Sequence, residues 1–215
     1  MIRKILAAIF ILSIIWTGTS QSTASKGTSD VKASFAILKN ALRDGDGNKA
    51  AAYVTPKTLD LYERCRKLSL HSTDTDFEAI SQLEVLLIFQ LRWLLDIKTL
   101  KSMDGAAVFS WGVENGLVKK QTLAFIEIDN VQVEGNKAIS TLLNRGQSVT
   151  DLVFNFELHD EIWKLDFERI LRLSDNVFAE LRKKAGKTKI ELAIYLIERT
   201  YKKKVPSQIL NGPLK

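Results

Sequence analysis

Chemistry in this 215-residue chain would have to come from two histidines, one cysteine and two short glycine-containing loops. Asp44-Gly45-Asp46-Gly47-Asn48 has the acidic spacing with which a calcium loop opens. Such a loop needs Gly at its sixth position and a bidentate Glu at its twelfth. Those positions hold Lys49 and Thr55, so the segment reads as a turn between helices. Gly186-Lys187-Thr188 matches the end of a phosphate-binding loop, but the first glycine of that pattern would fall at Leu181 and no strand precedes it. A helix C-cap followed by an N-cap explains it better. His71 has Asp74 and Asp76 nearby, and His159 has Asp160 and Glu161. Each offers one metal ligand and neither a set. No catalytic residue, metal ligand or cofactor is therefore assigned. A triad assembled in space stays open, but nothing local, such as Gly-x-Ser-x-Gly, points to one.

Other polar residues alternate with apolar neighbours: Glu127, Asp129, Asn155, Glu157, Lys164 and Asp166. Such a set either lines a polar cavity or forms the wet face of a half-buried sheet, and the wet face is the commoner outcome. Trp93, Trp111 and Trp163 read first as core. Cys65 lies one helical turn from Leu61 and near Leu68, which marks it as a small core residue. A single thiol leaves no internal disulfide.

The chain opens Met1-Ile2-Arg3-Lys4, runs apolar from Ile5 to Trp16, and passes into Thr17-Gly18-Thr19-Ser20. A spanning helix needs about 20 apolar residues. This run is shorter and has the three regions of a secretory signal peptide. Residues 1–24 are read as that signal, cut near 20–24, and the protein is expected to be periplasmic or secreted. The net charge is +6. Arg3 and Lys4 leave with the signal, and residues 182–215 hold ten Lys or Arg against two Glu, so the rest of the mature body is acidic. The basicity is local. It predicts no nucleic-acid partner, and allows peripheral contact of the basic C-terminal region with anionic lipid.

The elements follow from periodicity. Val31, Phe35, Leu38 and Leu42 mark one face of a helix that starts near Ser29 or Asp30 and ends at Gly45, behind a flexible polar lead-in over 20–28. A short helix follows from Asn48 to Val54, and Thr55-Pro56 opens a third. Asp74 to Leu95 is the most apolar helix, and Asp104 to Gly116 another short one. The period then changes to two. Strands are expected around 124–133, at Ala138–Leu143, at Val149–Leu158 and at Ile162–Phe167, joined by short polar turns as an antiparallel meander. The face Leu152, Phe154, Phe156, Leu158 is expected to pack on the Asp74–Leu95 helix. Helix returns at Ser174–Lys184 and, from a capping box at Thr188–Glu191, to about Lys204. That last helix is apolar nearly all round, which predicts cover by the Ser174–Lys184 helix and the tail, or by a second copy in a homodimer. The tail from Val205 reads as irregular.

Helices first and antiparallel strands after is the order of an α+β domain. Phe35 to Pro56, Val131 to Ile139 and Phe154 to Phe167 together resemble the opening helices and closing strands of the nuclear-transport-factor-2-like, ketosteroid isomerase-like superfamily. The resemblance covers roughly residues 29–170. It implies a curved antiparallel sheet wrapped on N-terminal helices, cone-like, with a pocket between them. Residues 174–215 then form a C-terminal helical extension. The superfamily holds enzymes, ligand binders and interaction scaffolds, so fold does not fix function. The expected pocket-lining residues are Tyr53, Phe89, Trp93, Trp111 and Phe125. The expected function is non-enzymatic binding of a small apolar ligand or a protein partner. The alternative is a pocket enzyme of isomerase or hydrolase type.

Overall fold

The computed structural model describes residues 18–71, 77–117 and 124–213. The order is helices, then a meander, then helices: α1 Gly18–Asp44, α2 Gly47–Ala52, α3 Pro56–His71, α4 Gln82–Leu94, α5 Ile97–Ser102 and α6 Gly105–Glu114, followed by β1 Ile126–Glu134, β2 Lys137–Asn144, β3 Gln147–His159 and β4 Ile162–Asp166, then α7 Glu168–Ala185, α8 Lys189–Tyr201 and a 3-10 turn at Ser207–Leu210. The fold is α+β, as the change of period predicts.

The four strands pair antiparallel in the order β1-β2-β3-β4. Their turns are tight. Arg145-Gly146 and Asp160-Glu161 both carry two consecutive positive φ angles. That geometry matches the twist of the strands they join. β1 shifts register between Asp129 and Gln132, with Asn130 at φ 48°, and β3 shifts opposite Thr141 and Leu142. The second shift breaks the unbroken alternation expected from Val149 to Leu158. The chain between α2 and α3 adds a parallel bridge beside β4, Val54 to Leu165, with Thr55 N donating to Leu165 O at 3.0 Å.

Two cores result. Val31, Phe35, Leu38 and Leu42 of α1 meet Ala138 and Leu142 of β2, Phe154 and Phe156 of β3, and Trp163 and Leu165 of β4. Phe35 sits 5.7 Å from the Phe154 ring and 6.3 Å from the Phe156 ring. The second core joins Leu61 and Cys65 of α3, Val85 to Leu91 of α4, and Ala193 and Ile197 of α8 with Ile209 of the tail. The sheet therefore packs on α1, and the expected pairing of the Phe154 face with the most apolar helix is wrong. Helix α4 is apolar on too many sides for one sheet face to cover; α3, α8 and the tail enclose it instead. The side chain of Leu152 lies outside the described residues.

Element bounds differ where caps override periodicity. Helix α1 begins at Gly18, so the stretch 20–28 is helical and not a flexible lead-in. It holds no proline, and Gly27 admits the close approach of Val133, whose Cγ1 would lie 3.3 Å from a Cβ there. Helix α4 starts only at Gln82, because Ser81 and Glu84 form a capping box. Helix α7 starts at Glu168, six residues before the expected Ser174. The capping box at Thr188 and the left-handed cap at Gly186 stand as expected. The tail departs from expectation: Ser207–Leu210 is ordered and Ile209 is fully buried.

Candidate functional site

A cavity of about 210 Å³ lies between α1 and the sheet face that carries Leu142, Phe154 and Leu165. Helix α1 contributes Phe35, Leu38, Lys39 and Leu42. Their i, i+3, i+4 and i+7 spacing puts all four on one side of the helix. The strands contribute Ile126, Leu142, Phe154 and Leu165, and the chain entering α7 adds Phe167 and Ile170. The exposed lining is wholly apolar, so Lys39 presents its methylene stem to the cavity and not its ammonium, as long cationic side chains do beside apolar surface. Among the described residues, the Lys39 ammonium has no hydrogen-bond or ion-pair partner. Its neighbours on α1 are engaged: Lys32 lies 3.6 Å from Asp129, and Arg43 donates to Asp44 at 3.0 Å.

Two of the lining residues are tied to the α2–α3 segment: Leu165 bridges to Val54, and Phe167 N donates to the Thr58 hydroxyl at 3.1 Å. That bond fixes Phe167 at the cavity wall. Ser140 faces inward between Ala138 and Leu142 and is fully buried. Among the described residues its hydroxyl is the one buried side-chain polar atom without a partner.

None of the five expected pocket residues lines this cavity. Tyr53 is half-buried against the first core from the α2 end. Phe89 is enclosed in the second core, 5.2 Å from Phe77. Trp93 packs edge-on to Tyr201 at 5.0 Å, and Trp111 borders the same second core. Phe125 is 46% exposed, with the Arg145 guanidinium 4.5 Å over its ring. The actual lining comes from α1 and inward strand positions, read at first as plain core. The available signal was Lys39 itself, a cation four residues after Phe35 on the edge of an apolar stripe.

A second hollow, about 180 Å³, runs along the α3–α4 seam past Tyr62, Glu84 and Gln90. Its one acid is already committed. Glu84 accepts from Arg64 Nε at 3.1 Å and from Ser81 N at 3.0 Å. Burial pushes the Glu84 carboxyl up, but the bonds from Arg64 and Ser81 outweigh it and hold the group below the usual range. Burial pushes the neighbouring Tyr62 hydroxyl and Cys65 thiol well above their ordinary values. Cys65 is fully buried, as its spacing predicts.

The glycine-containing loops serve packing. Asp46 caps α2 by accepting from Lys49 N at 3.0 Å. A side chain at Gly47 would overlap the Ser110 carbonyl, so glycine lets α2 lie against α6. His159 meets Glu157 at 3.1 Å on the outer sheet face. His71 ends α3 exposed; Asp74 and Asp76 lie outside the described residues. Among the described residues, no group of three His, Cys, Asp or Glu converges on a metal-sized point.

Among the described residues the most heavily bonded side chain is Arg92 on α4, which is fully buried. It donates to Ser69 O at 2.9 Å, Ile209 O at 3.1 Å and Leu210 O at 2.9 Å, and its guanidinium lies 5.3 Å over Phe77 and 5.5 Å over Phe89. It joins the end of α3 to the tail. Nothing in the spacing marked it, because one Arg on an apolar helix reads as a solvated exception.

No protein-family model matches the chain, and neither a curated protein nor a solved structure matches it.

Proposed function

We propose that this protein is a non-enzymatic binding module that takes a small apolar ligand between α1 and the sheet, and that it works outside the cytoplasm after export. The observation that carries the reading is the cavity of about 210 Å³ with a wholly apolar exposed lining. An apolar cavity of about 150 Å³ takes benzene, so this one suits a group of about eight carbons. Acid–base catalysis would call for two convergent polar groups. The lining offers one lysine stem, which favours binding over the isomerase or hydrolase alternative. The packing of N-terminal helices on an antiparallel meander, with a pocket between, supports kinship with the nuclear-transport-factor-2-like superfamily.

The export part rests on the signal-like first residues. The first described core residue is Val31, so loss of residues 1–24 removes none of the described core. Among the described residues no helix is long and apolar enough to cross a membrane. Peripheral contact belongs to the same proposal. Val177 and Leu181 are exposed one turn apart on α7, close in sequence to Lys183 and Lys184.

Native mass spectrometry of protein purified from its own host tests the ligand. A small-molecule adduct is expected on the wild type and absent from Leu142→Phe, which fills the cavity. An adduct retained by a folded Leu142→Phe protein would place the ligand elsewhere.

A further inference from the structure

We propose that the ligand is a single-chain amphiphile with an anionic head, its tail in the cavity and its head on the Lys39 ammonium. This rests on the binding reading above and adds the class of ligand.

Lys39 is half-buried, its stem forms cavity wall, and the lining presents no polar surface. The ammonium therefore sits where the apolar surface gives way to water. It makes no ion pair among the described residues, while Lys32 and Arg43 on the same helix do. A cation left open at the edge of an apolar cavity complements a carboxylate or phosphate carried on a hydrocarbon chain. A neutral hydrocarbon would gain nothing from that charge, and a cationic amphiphile would be repelled by it.

The probes are octanoate, 1-octanol and octylammonium at neutral pH, titrated calorimetrically into the full mature chain. Wild type should bind octanoate and 1-octanol. Lys39→Met keeps the apolar stem and drops the charge. It should weaken octanoate about threefold to fivefold, the upper part of the range a partly screened ion pair gives, and leave 1-octanol within about twofold. Lys39→Glu should favour octylammonium over octanoate. Thermal melts of both variants establish that they fold. If Lys39→Met changes octanoate and 1-octanol equally, or changes neither, the anionic-head inference is overturned while the cavity reading stands. Binding of 1-octanol without octanoate has the same consequence. If wild type binds none of the three, the cavity reading itself fails and the inference falls with it.

Discussion

At the residue scale the molecule is most sensitive where burial and hydrogen bonding disagree. Ser140 keeps a buried hydroxyl with no partner among the described residues. An unsatisfied buried polar group costs about 1–3 kcal/mol, and part of that returns when the group is removed. Ser140→Ala should therefore raise stability by about 0.5–1 kcal/mol in denaturant melts; a loss of stability would mean the hydroxyl has a partner. Glu84 is the opposite case, a carboxylate fully used by Arg64 and Ser81. Arg64 is half-exposed, so screening limits the pair. Glu84→Gln should cost about 1–2 kcal/mol at neutral pH, on the scale of a charge-assisted bond. The Glu84 carboxyl is held below its unfolded range. Its contribution is therefore present above about pH 4.3, the unfolded value for Glu, and is lost as the pH falls through the lower folded value. The gap between wild type and Glu84→Gln should be widest at pH 7 and close on acidification. A gap that widened toward acid would reverse the assignment. On the sheet, Phe154→Ala should cost about 3–5 kcal/mol, because Phe154 packs on Phe35. Glu157→Ala, on the outer face, should stay within about 0.5 kcal/mol. Equal costs would invert the strand register.

At the element scale the meander and both late capping signals were legible, because turn chemistry and caps are local. Arg145-Gly146 and Thr188–Glu191 need no tertiary information to be read. The partners of α4 were not legible. Its stripe showed that it must be enclosed, but periodicity cannot say whether a sheet or helices supply the cover. The lining of the cavity was hidden for a similar reason. Phe35, Leu142 and Leu165 carry the signature of core residues, and only the gap between α1 and the sheet separates a wall from a filled contact. The ordered tail was missed because Arg92, 117 residues from Ile209 in sequence, makes the contact that orders it. Arg92→Met should leave the carbonyls of Ser69, Ile209 and Leu210 unsatisfied, at a total cost of at least about 3 kcal/mol. Limited proteolysis should then cut near Val205 in the variant and not in wild type; equal resistance would mean the tail is held by Ile209 packing alone. A chain ending at Gly186 should aggregate, because losing α8 exposes the apolar side of α4.

At the scale of the whole molecule, two cores share one chain and meet at Tyr62, which touches both and stacks edge-on to Phe109 at 5.0 Å. The helical core of α3, α4, α8 and the tail is cross-linked by Arg92, and the hollow on its α3–α4 seam is bordered by the polar side chains Glu84 and Gln90. The core of α1 and the sheet retains open apolar space. Interiors normally close such gaps, since unfilled volume forfeits contact energy. Of the two, only the first cavity has a wholly apolar exposed lining, which marks the first core as the one that accommodates an apolar group. Methyl NMR tests this most directly, by titrating 1-octanol into protein labelled at Ile and Leu methyls. The account predicts saturable shifts at Leu38, Leu42, Ile126, Leu142, Leu165 and Ile170, with Leu87, Ile88 and Ile197 of the second core unmoved. Shifts confined to the exposed Leu181, or no shifts at all, would contradict it.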